Sequence, residues 1–233
     1  MNDVLEMDRP LAVSFDAVGT FLHFAEPVAT TYTRFAAEFG IEATELTMRR
    51  RLDLAFQAAP PMITPEGVDR ESFERQWWMN LAARVYGCAP DDTDFLACFD
   101  ALFDWFARPE AWRIHKDFGP MLLQLREIDV KLAVISNFDA RLYSLLDAML
   151  PGLFEVVALP GECGAQKPQQ EIFNWTAGRL DVQPERMMHL GDNQEEDVAA
   201  ALRAGMHALR WSFPLKGVTR PKQRLLGYWG LVA

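Results

Sequence analysis

The chain has 233 residues, half of them hydrophobic, and a formal net charge of −10 at pH 7. This length allows one good hydrophobic core and a second, smaller domain. The acidic balance argues against nucleic acid as a partner, because a phosphate backbone needs a basic surface. To bind an anionic small molecule, this acidic chain would need a local positive group such as a metal ion, a lysine or a helix N-terminus.

The sequence predicts a cytoplasmic protein with no membrane contact. No apolar stretch approaches the ~18–20 residues that a membrane helix needs. The first ten residues, MNDVLEMDRP, lack the basic-then-apolar layout of a secretory signal. The three cysteines, Cys88, Cys98 and Cys163, form no CxxC pair, so neither a disulfide scaffold nor a zinc site is expected.

In chain order, the first predicted element is a buried strand at residues 11–15, a short apolar run bounded by a glycine turn. Strands and amphipathic helices then alternate from about residue 113 to 220. The strands are predicted at 131–136, 187–190 and 207–211, and the helices near 117–128, 139–149, 169–180 and 195–204. This alternation predicts an α/β fold with a doubly wound parallel sheet.

The intervening residues 22–112 carry helical patterns and no convincing strand. Helices are predicted near 27–39, 45–58, 70–86 and 91–107, with a proline-rich break, AAPPMITPEG, between the second and third. The sequence therefore predicts a core domain of residues 1–21 and 113–233 with an inserted all-helical domain of residues 22–112. The tail, residues 214–233, is predicted to be irregular.

Four polar clusters follow predicted strands in a fixed order. They are Asp16 with Thr20, Ser136 with Asn137, Lys167, and Asp192 with Asp197. Because the carboxyl ends of parallel strands share one edge of the sheet, where ligands bind in open α/β folds, these side chains should converge on one cleft.

Three of these residues, Asp16, Asp192 and Asp197, are acidic. Carboxylates this close repel, and one would protonate unless a cation intervened. Mg²⁺ suits such a site, since it is commonly held by one or two carboxylates, waters and a phosphate oxygen. Asp16 and Asp192 are predicted to be direct ligands, and Asp197 either a ligand or the support of a bound water.

The remaining polar residues are predicted to meet the substrate. Lys167 would offset more negative charge and hold an anionic group. The Ser136 hydroxyl and the Asn137 amide, at the start of a turn into the next helix, suit phosphate oxygens.

Together these segments resemble the haloacid dehalogenase (HAD) superfamily of hydrolases, in the subgroup with an all-helical cap after the first strand. DAVGT, ISN, QKP and GDNQEED resemble its four motifs, and SFERQWW and AVISNFDARL resemble the branch called HAD-like hydrolase domain-containing protein three. The resemblance covers nearly the whole chain and implies a Rossmann-like HAD core. It also implies that the backbone carbonyl of Val18 is a further Mg²⁺ ligand.

Asp16 is then the expected nucleophile, which attacks phosphorus in line and forms an aspartyl phosphate that water hydrolyses. Thr20 is expected to hydrogen-bond across the site. The resemblance has one departure: many phosphatases of this superfamily carry a second Asp, the general acid, where this chain has Val18. General acid–base catalysis is worth about 10²–10⁴-fold. His23 and Glu26 are the candidate replacements.

The sequence therefore predicts a Mg²⁺-dependent phosphatase-type hydrolase acting on a small phosphorylated molecule, with alternatives. A dehalogenase would use a cap arginine such as Arg49, Arg50 or Arg51, but needs no metal or acidic fourth motif. Phosphonate hydrolysis through a cap lysine is disfavoured because residues 22–112 contain no lysine.

Two further interpretations remain. A non-catalytic phosphate-binding or scaffold protein could retain the same fold. A phosphate-accepting receiver domain is disfavoured by the order of the motifs and by the large insertion. His115, His189 and His207 show no ligand spacing and are expected to pack or hydrogen-bond.

Overall fold

The computed structural model describes residues 9–212, which form two compact units. The first comprises residues 9–23, 114–137 and 150–212, and the second residues 24–113 and 138–149. The predicted irregular tail, residues 214–233, lies outside the described residues. No helix in the described part of the chain combines the length and the apolar character needed to cross a membrane.

The first unit is built on a five-stranded sheet in which every pair is parallel. Its strands are β1 (Ala12–Phe15), β4 (Lys131–Ile135), β5 (Val156–Ala158), β6 (Met187–Gly191) and β7 (His207–Arg210). The spatial order is β5-β4-β1-β6-β7, so β1 is the central strand. All four residues of β1 are buried, as expected for a parallel strand covered on both faces. The predicted parallel α/β fold is confirmed.

Helices cover both faces of this sheet because alternate side chains of each strand point to opposite sides. They are α5 (Phe118–Glu127), α7 (Pro160–Cys163), α8 (Gln170–Leu180) and α9 (Ala200–Arg203), with a π-helical turn at Gln194–Ala199. Ala12 shares one core cluster with Ile172 and Phe173 of α8. Phe15 packs edge-to-face on Phe118 of α5, with ring centroids 5.3 Å apart.

The second unit is mainly helical. It contains α1 (Val28–Glu38), α2 (Glu45–Gln57), α3 (Arg70–Tyr86), α4 (Thr93–Phe106) and α6 (Arg141–Met149). Thr44, Asp69 and Asp92 cap the N-termini of α2, α3 and α4 by accepting a hydrogen bond from a backbone N–H. Each cap satisfies an N–H that the helix itself leaves unpaired. The predicted helices of this region are confirmed to within about three residues.

Two features differ from the sequence prediction. Residues 22–112 were expected to contain no strand, but β2 (Leu22–Phe24) pairs with β3 (Trp112–Ile114) in a two-stranded sheet. Strands of three residues are too short to show a period of two, which explains why no pattern revealed them. In addition, residues 138–149 cluster with the helical unit rather than with the sheet that precedes them in sequence.

The second difference has a physical cause in side chains that come together from distant positions. The buried Asp139 carboxylate accepts hydrogen bonds from Trp78 Nε1 and Arg141 Nη2, each at 2.6 Å. The Arg141 guanidinium stacks on Phe103, 3.7 Å from its ring centroid. Buried Glu74 accepts from the Ala140 backbone N–H at 2.9 Å. These bonds join the start of α6 to α3 and α4.

Candidate active site

Asp16 and Ser136 extend neighbouring strands by one residue. The Asp16 N–H donates to the Leu190 carbonyl of β6, and the Ser136 N–H donates to the Ala158 carbonyl of β5. Asp192 directly follows β6. The three side chains therefore begin at the same carboxyl edge of the parallel sheet, as the sequence predicts.

Lys167 ties two of the predicted acidic residues together. Its Nζ donates to Asp16 Oδ1 at 2.7 Å and to Asp197 Oδ1 at 2.6 Å, and all three side chains are buried. Burial opposes the charge on Lys167, but the two carboxylates outweigh it and raise the pKa of the amine. Burial likewise opposes the charge of Asp197, yet the hydrogen bond from His189 and the charge of Lys167 hold the pKa of its carboxyl well below the ordinary range.

Thr20 supports Asp16 from the following turn. The Thr20 hydroxyl donates to Asp16 Oδ2 at 2.9 Å, and the Thr20 Oγ1 atom also lies 3.4 Å from Asp192 Oδ1. The turn between Asp16 and Thr20 includes Val18 and Gly19. Gly19 has a φ of +95°, and a Cβ there would lie 2.8 Å from Asp192 Oδ2. Glycine therefore allows the turn that carries Val18 to approach Asp192 closely.

Asn137 is engaged with Lys167 through two backbone contacts. Its Nδ2 donates to the Lys167 carbonyl at 2.9 Å, and its Oδ1 accepts the Lys167 N–H at 2.8 Å. This pairing fixes the backbone of Lys167 at the end of β4. The Asn137 side-chain amide thus supports the backbone of Lys167. Contacts of a substrate with the Asn137 amide and with the buried Ser136 hydroxyl stay predictions.

The three carboxylates lie close enough together to share a cation. Asp16, Asp192 and Asp197 each offer an oxygen within 4.8 Å of the others. The pKa of Asp192 is raised, first by burial and then by the charges of Asp16 and Asp197. Within the described residues, Lys167 is the one lysine or arginine that pairs with these carboxylates. The cluster therefore has excess negative charge.

Two residues that the sequence analysis did not assign to the site are connected to it. His189 of β6 lies 3.4 Å from Asp197 Oδ1 through its Nε2, and 2.9 Å from the Ser14 hydroxyl through its Nδ1. Burial lowers the pKa of His189. The available signal was the presence of a histidine and a serine inside two otherwise apolar strands.

The proposed substitutes for the general acid differ in their surroundings. Glu26 accepts hydrogen bonds from Arg34 Nη2 at 2.8 Å and Thr31 Oγ1 at 3.0 Å. The hydrogen bond from Arg34 lowers the pKa of the Glu26 carboxyl, which makes it a poorer proton donor near pH 7. His23 lies in β2 and is half-buried.

An open parallel sheet with an acidic cluster and a lysine at its carboxyl edge defines an α/β protein with its ligand site at the usual place for this fold class. Residues 11–205 match the family of haloacid dehalogenase-like hydrolases. The chain belongs to this family, which confirms the resemblance noted in its motifs.

Individual relatives agree with this assignment. The chain is 28% identical to haloacid dehalogenase-like hydrolase domain-containing protein 3 of Mus musculus over 222 residues, which cover 92% of this chain and 88% of the relative. It is also similar in structure to an HAD phosphatase from Thermococcus onnurineus, with a TM-score of 0.58, 24% identity and 84% of each chain covered. A 2-haloacid dehalogenase from Pseudomonas syringae gives a TM-score of 0.57 at 22% identity, again with 84% of each chain covered. The fold therefore does not choose between the two chemistries.

Proposed function

We propose that this chain is a Mg²⁺-dependent phosphatase that transfers the phosphoryl group of a small anionic substrate to Asp16 and then to water. The observation that carries the proposal is the excess negative charge of the carboxylate cluster, in which three acidic side chains lie close together and one lysine pairs with two of them. A halide-releasing enzyme needs no metal, and so gains nothing from such a cluster.

The donor set fits Mg²⁺, a hard cation that prefers oxygen ligands. Asp16 and Asp192 would hold it, together with the Val18 carbonyl that the family resemblance implies. Asp197 is less available than Asp192, because Oδ1 accepts from Lys167 and Oδ2 accepts the Asn193 N–H at 2.9 Å. We therefore assign Asp197 mainly to orienting Lys167. When bound, Mg²⁺ would supply positive charge that offsets the phosphoryl oxygens and the carboxylates.

The residues of the chain would then act as follows. An Asp16 carboxylate oxygen attacks phosphorus, an Asp16–phosphorus bond forms, and the bond to the leaving oxygen breaks. Lys167 holds Asp16 Oδ1 and offsets charge on the transferred group, while Thr20 holds Oδ2. Ser136 is proposed to donate its hydroxyl to a phosphoryl oxygen. Water then attacks phosphorus and releases free Asp16.

Val18 limits the protonation of the leaving group. A valine cannot donate a proton, so an alkoxide must take one from water or from another residue. Aryl and acyl phosphates release stable anions and should suffer less. The same absence slows the second step, because the missing acid would also have activated water.

The experiment compares aryl, acyl and alkyl phosphates and 2-haloacids as substrates, with and without Mg²⁺. We expect Mg²⁺-dependent release of phosphate that falls steeply as the pKa of the leaving group rises. Mass spectrometry should detect an adduct of about 80 Da, the mass of a phosphoryl group, on Asp16. Asp16→Asn should remove both the turnover and the adduct.

Val18→Asp is the matched gain-of-function variant. It should raise activity on alkyl phosphates more than on aryl phosphates, by up to about 10²-fold if the carboxyl is well placed. Equal activity of the unaltered protein on both would mean that another residue supplies the proton, and His23→Ala would then be measured. Metal-independent halide release would replace the proposal with the dehalogenase alternative. No turnover and no adduct on any phosphate would favour a non-catalytic protein.

A further inference from the structure

Ser14 and His189 are two polar residues in the interior of the parallel sheet. They are register partners in β1 and β6, and both are fully buried. The Ser14 Oγ lies 2.9 Å from His189 Nδ1. The strands form their ladder through backbone groups, so the sheet does not require either side chain. Buried polar groups are retained where they have partners.

The second ring nitrogen determines the direction of these hydrogen bonds. His189 Nε2 lies 3.4 Å from Asp197 Oδ1, slightly longer than the usual N–H···O distance of about 2.7–3.2 Å. A carboxylate only accepts, so this contact is a hydrogen bond only when Nε2 carries the hydrogen. Burial disfavours a second proton on the ring, and the charge of the Lys167 ammonium, 2.6 Å from the same oxygen, acts in the same direction. Nδ1 is then bare and accepts the hydroxyl of Ser14.

Within the described residues, His189 is the side chain of the sheet that contacts the Asp197 carboxylate. The other donor beside Lys167 is the N–H of Asn193, the N-cap residue of the turn that contains Asp197. Gly191 leaves the space for this contact, because a Cβ at that position would lie 2.2 Å from Asp197 Cγ. The carboxylate therefore lies directly against the end of β6.

We propose that His189, oriented by Ser14, is a positioning residue that fixes the Asp197 carboxylate and thereby holds Lys167 against Asp16. The proposal rests on the phosphatase function proposed above, since its main effect is on phosphoryl transfer. Catalytic groups misplaced by about 1 Å can lose about 10²-fold in rate. The competing explanation is packing alone, because the His189 ring meets Phe173 edge-on, with centroids 5.2 Å apart.

Three variants at position 189 separate the two explanations. A glutamine amide can reach the place of Nε2, an asparagine amide reaches only the place of Nδ1, and leucine retains apolar bulk. We expect H189Q to stay within about 3-fold of wild-type kcat, whereas H189N and H189L lose about 10–100-fold. KM should change much less than kcat, because the lysine acts on the reacting groups. A side chain that only packs would give the opposite order, with H189L the most active.

Ser14→Ala tests the other end of the pair. It should lower kcat by about 3–10-fold, since the ring loses the group that sets its tautomer. Thr176→Val is the matched control, because Thr176 is also fully buried in this unit and donates to the Ile172 carbonyl at 2.8 Å, in α8. Equal kcat for Ser14→Ala and Thr176→Val would count against the proposal.

Two readouts do not depend on turnover. The chain has four histidines, so in protein labelled with ¹⁵N-histidine the signal that disappears in H189Q belongs to His189. In wild type this signal should have the chemical shifts of the Nε2–H tautomer. In protein labelled with ¹⁵N-lysine, the protons of the Lys167 ammonium should exchange with water slowly in wild type and H189Q, and faster in H189L. If wild type hydrolyses no phosphate, the proposed function fails while these signals still decide the positioning role. A Nδ1–H tautomer, or equal lysine exchange in all variants, overturns it.

Discussion

Two buried clusters of acidic residues, one in each unit, differ in charge balance. In the helical unit, Asp139 pairs with Arg141, and Glu74 pairs with Arg70 through its Nε at 2.8 Å. In the sheet unit, three carboxylates lie close together, and Lys167 pairs with two of them, Asp16 and Asp197. The first cluster is neutral within itself and joins helices, whereas the second keeps a charge that a ligand could neutralise. Charge balance thus separates a structural cluster from a candidate functional one.

The largest effect should come from Lys167→Met, which leaves the three carboxylates without their lysine. Leaving buried charges unpaired costs about 3–5 kcal/mol, and we expect a Tm lower by at least roughly 6 °C in metal-free buffer. Millimolar Mg²⁺ should restore part of the loss. Lys131→Met is the control, because Lys131 Nζ donates to the Leu180 carbonyl at 2.6 Å and, within residues 9–212, pairs with no carboxylate. Equal losses in the two variants would remove the proposed distinction.

A loss of about 3 kcal/mol in the free energy of unfolding is expected for Asp139→Asn, because Arg141 and Trp78 would face a weaker acceptor. Mg²⁺ should not restore it, in contrast to Lys167→Met. Asp100→Asn is the control, since it breaks an exposed pair with Arg75, and such pairs contribute about 0–1 kcal/mol. Urea unfolding of both variants measures the difference. A recovery of Asp139→Asn with Mg²⁺ would contradict the comparison.

The pH dependence of stability should reflect Asp197. Its folded pKa is lowered, so its contribution is present above the unfolded pKa of about 3.9 and is lost as pH falls below that value. We expect Asp197→Asn to be less stable than wild type at pH 5–6, and the two to converge as the pH falls toward about 2. Glu195→Gln, at an exposed acid of the same turn, should show no such convergence. Unfolding measured across this range gives the answer.

The smallest effect has the opposite sign. The folded pKa of Asp192 is raised, so its ionised form is disfavoured in the folded state above that pKa. At pH 7 without metal, Asp192→Asn should therefore raise Tm by a few degrees or less, while it abolishes the upward shift that Mg²⁺ gives wild type. Glu195→Gln makes the same charge change on the surface and should keep that shift. A lower Tm for Asp192→Asn would show that burial and the charges of Asp16 and Asp197 do not destabilise the ionised Asp192 carboxylate.

The sequence was sufficient for the residues that follow strand ends. Asp16, Ser136 and Asp192 were predictable because an apolar run, a turn and a polar residue are local signals that the parallel sheet brings to one edge. The pairing of Asn137 with the Lys167 backbone and of His189 with Ser14 was not, because each joins positions far apart in sequence. The same holds for α6, whose association with the helical unit depends on Glu74 and Trp78.

The association of residues 138–149 with the helical unit has a consequence for the order of biosynthesis. The chain enters this unit twice, at Phe24 and again at Phe138. A ribosome that has released residues 24–113 has therefore not yet supplied Asp139 and Arg141, and Trp78 Nε1 still lacks its acceptor. The unit can be completed only after β4 has also emerged. A fragment that ends near residue 112 should accordingly expose Glu74 and Trp78, and co-translational folding of the two units should be interdependent.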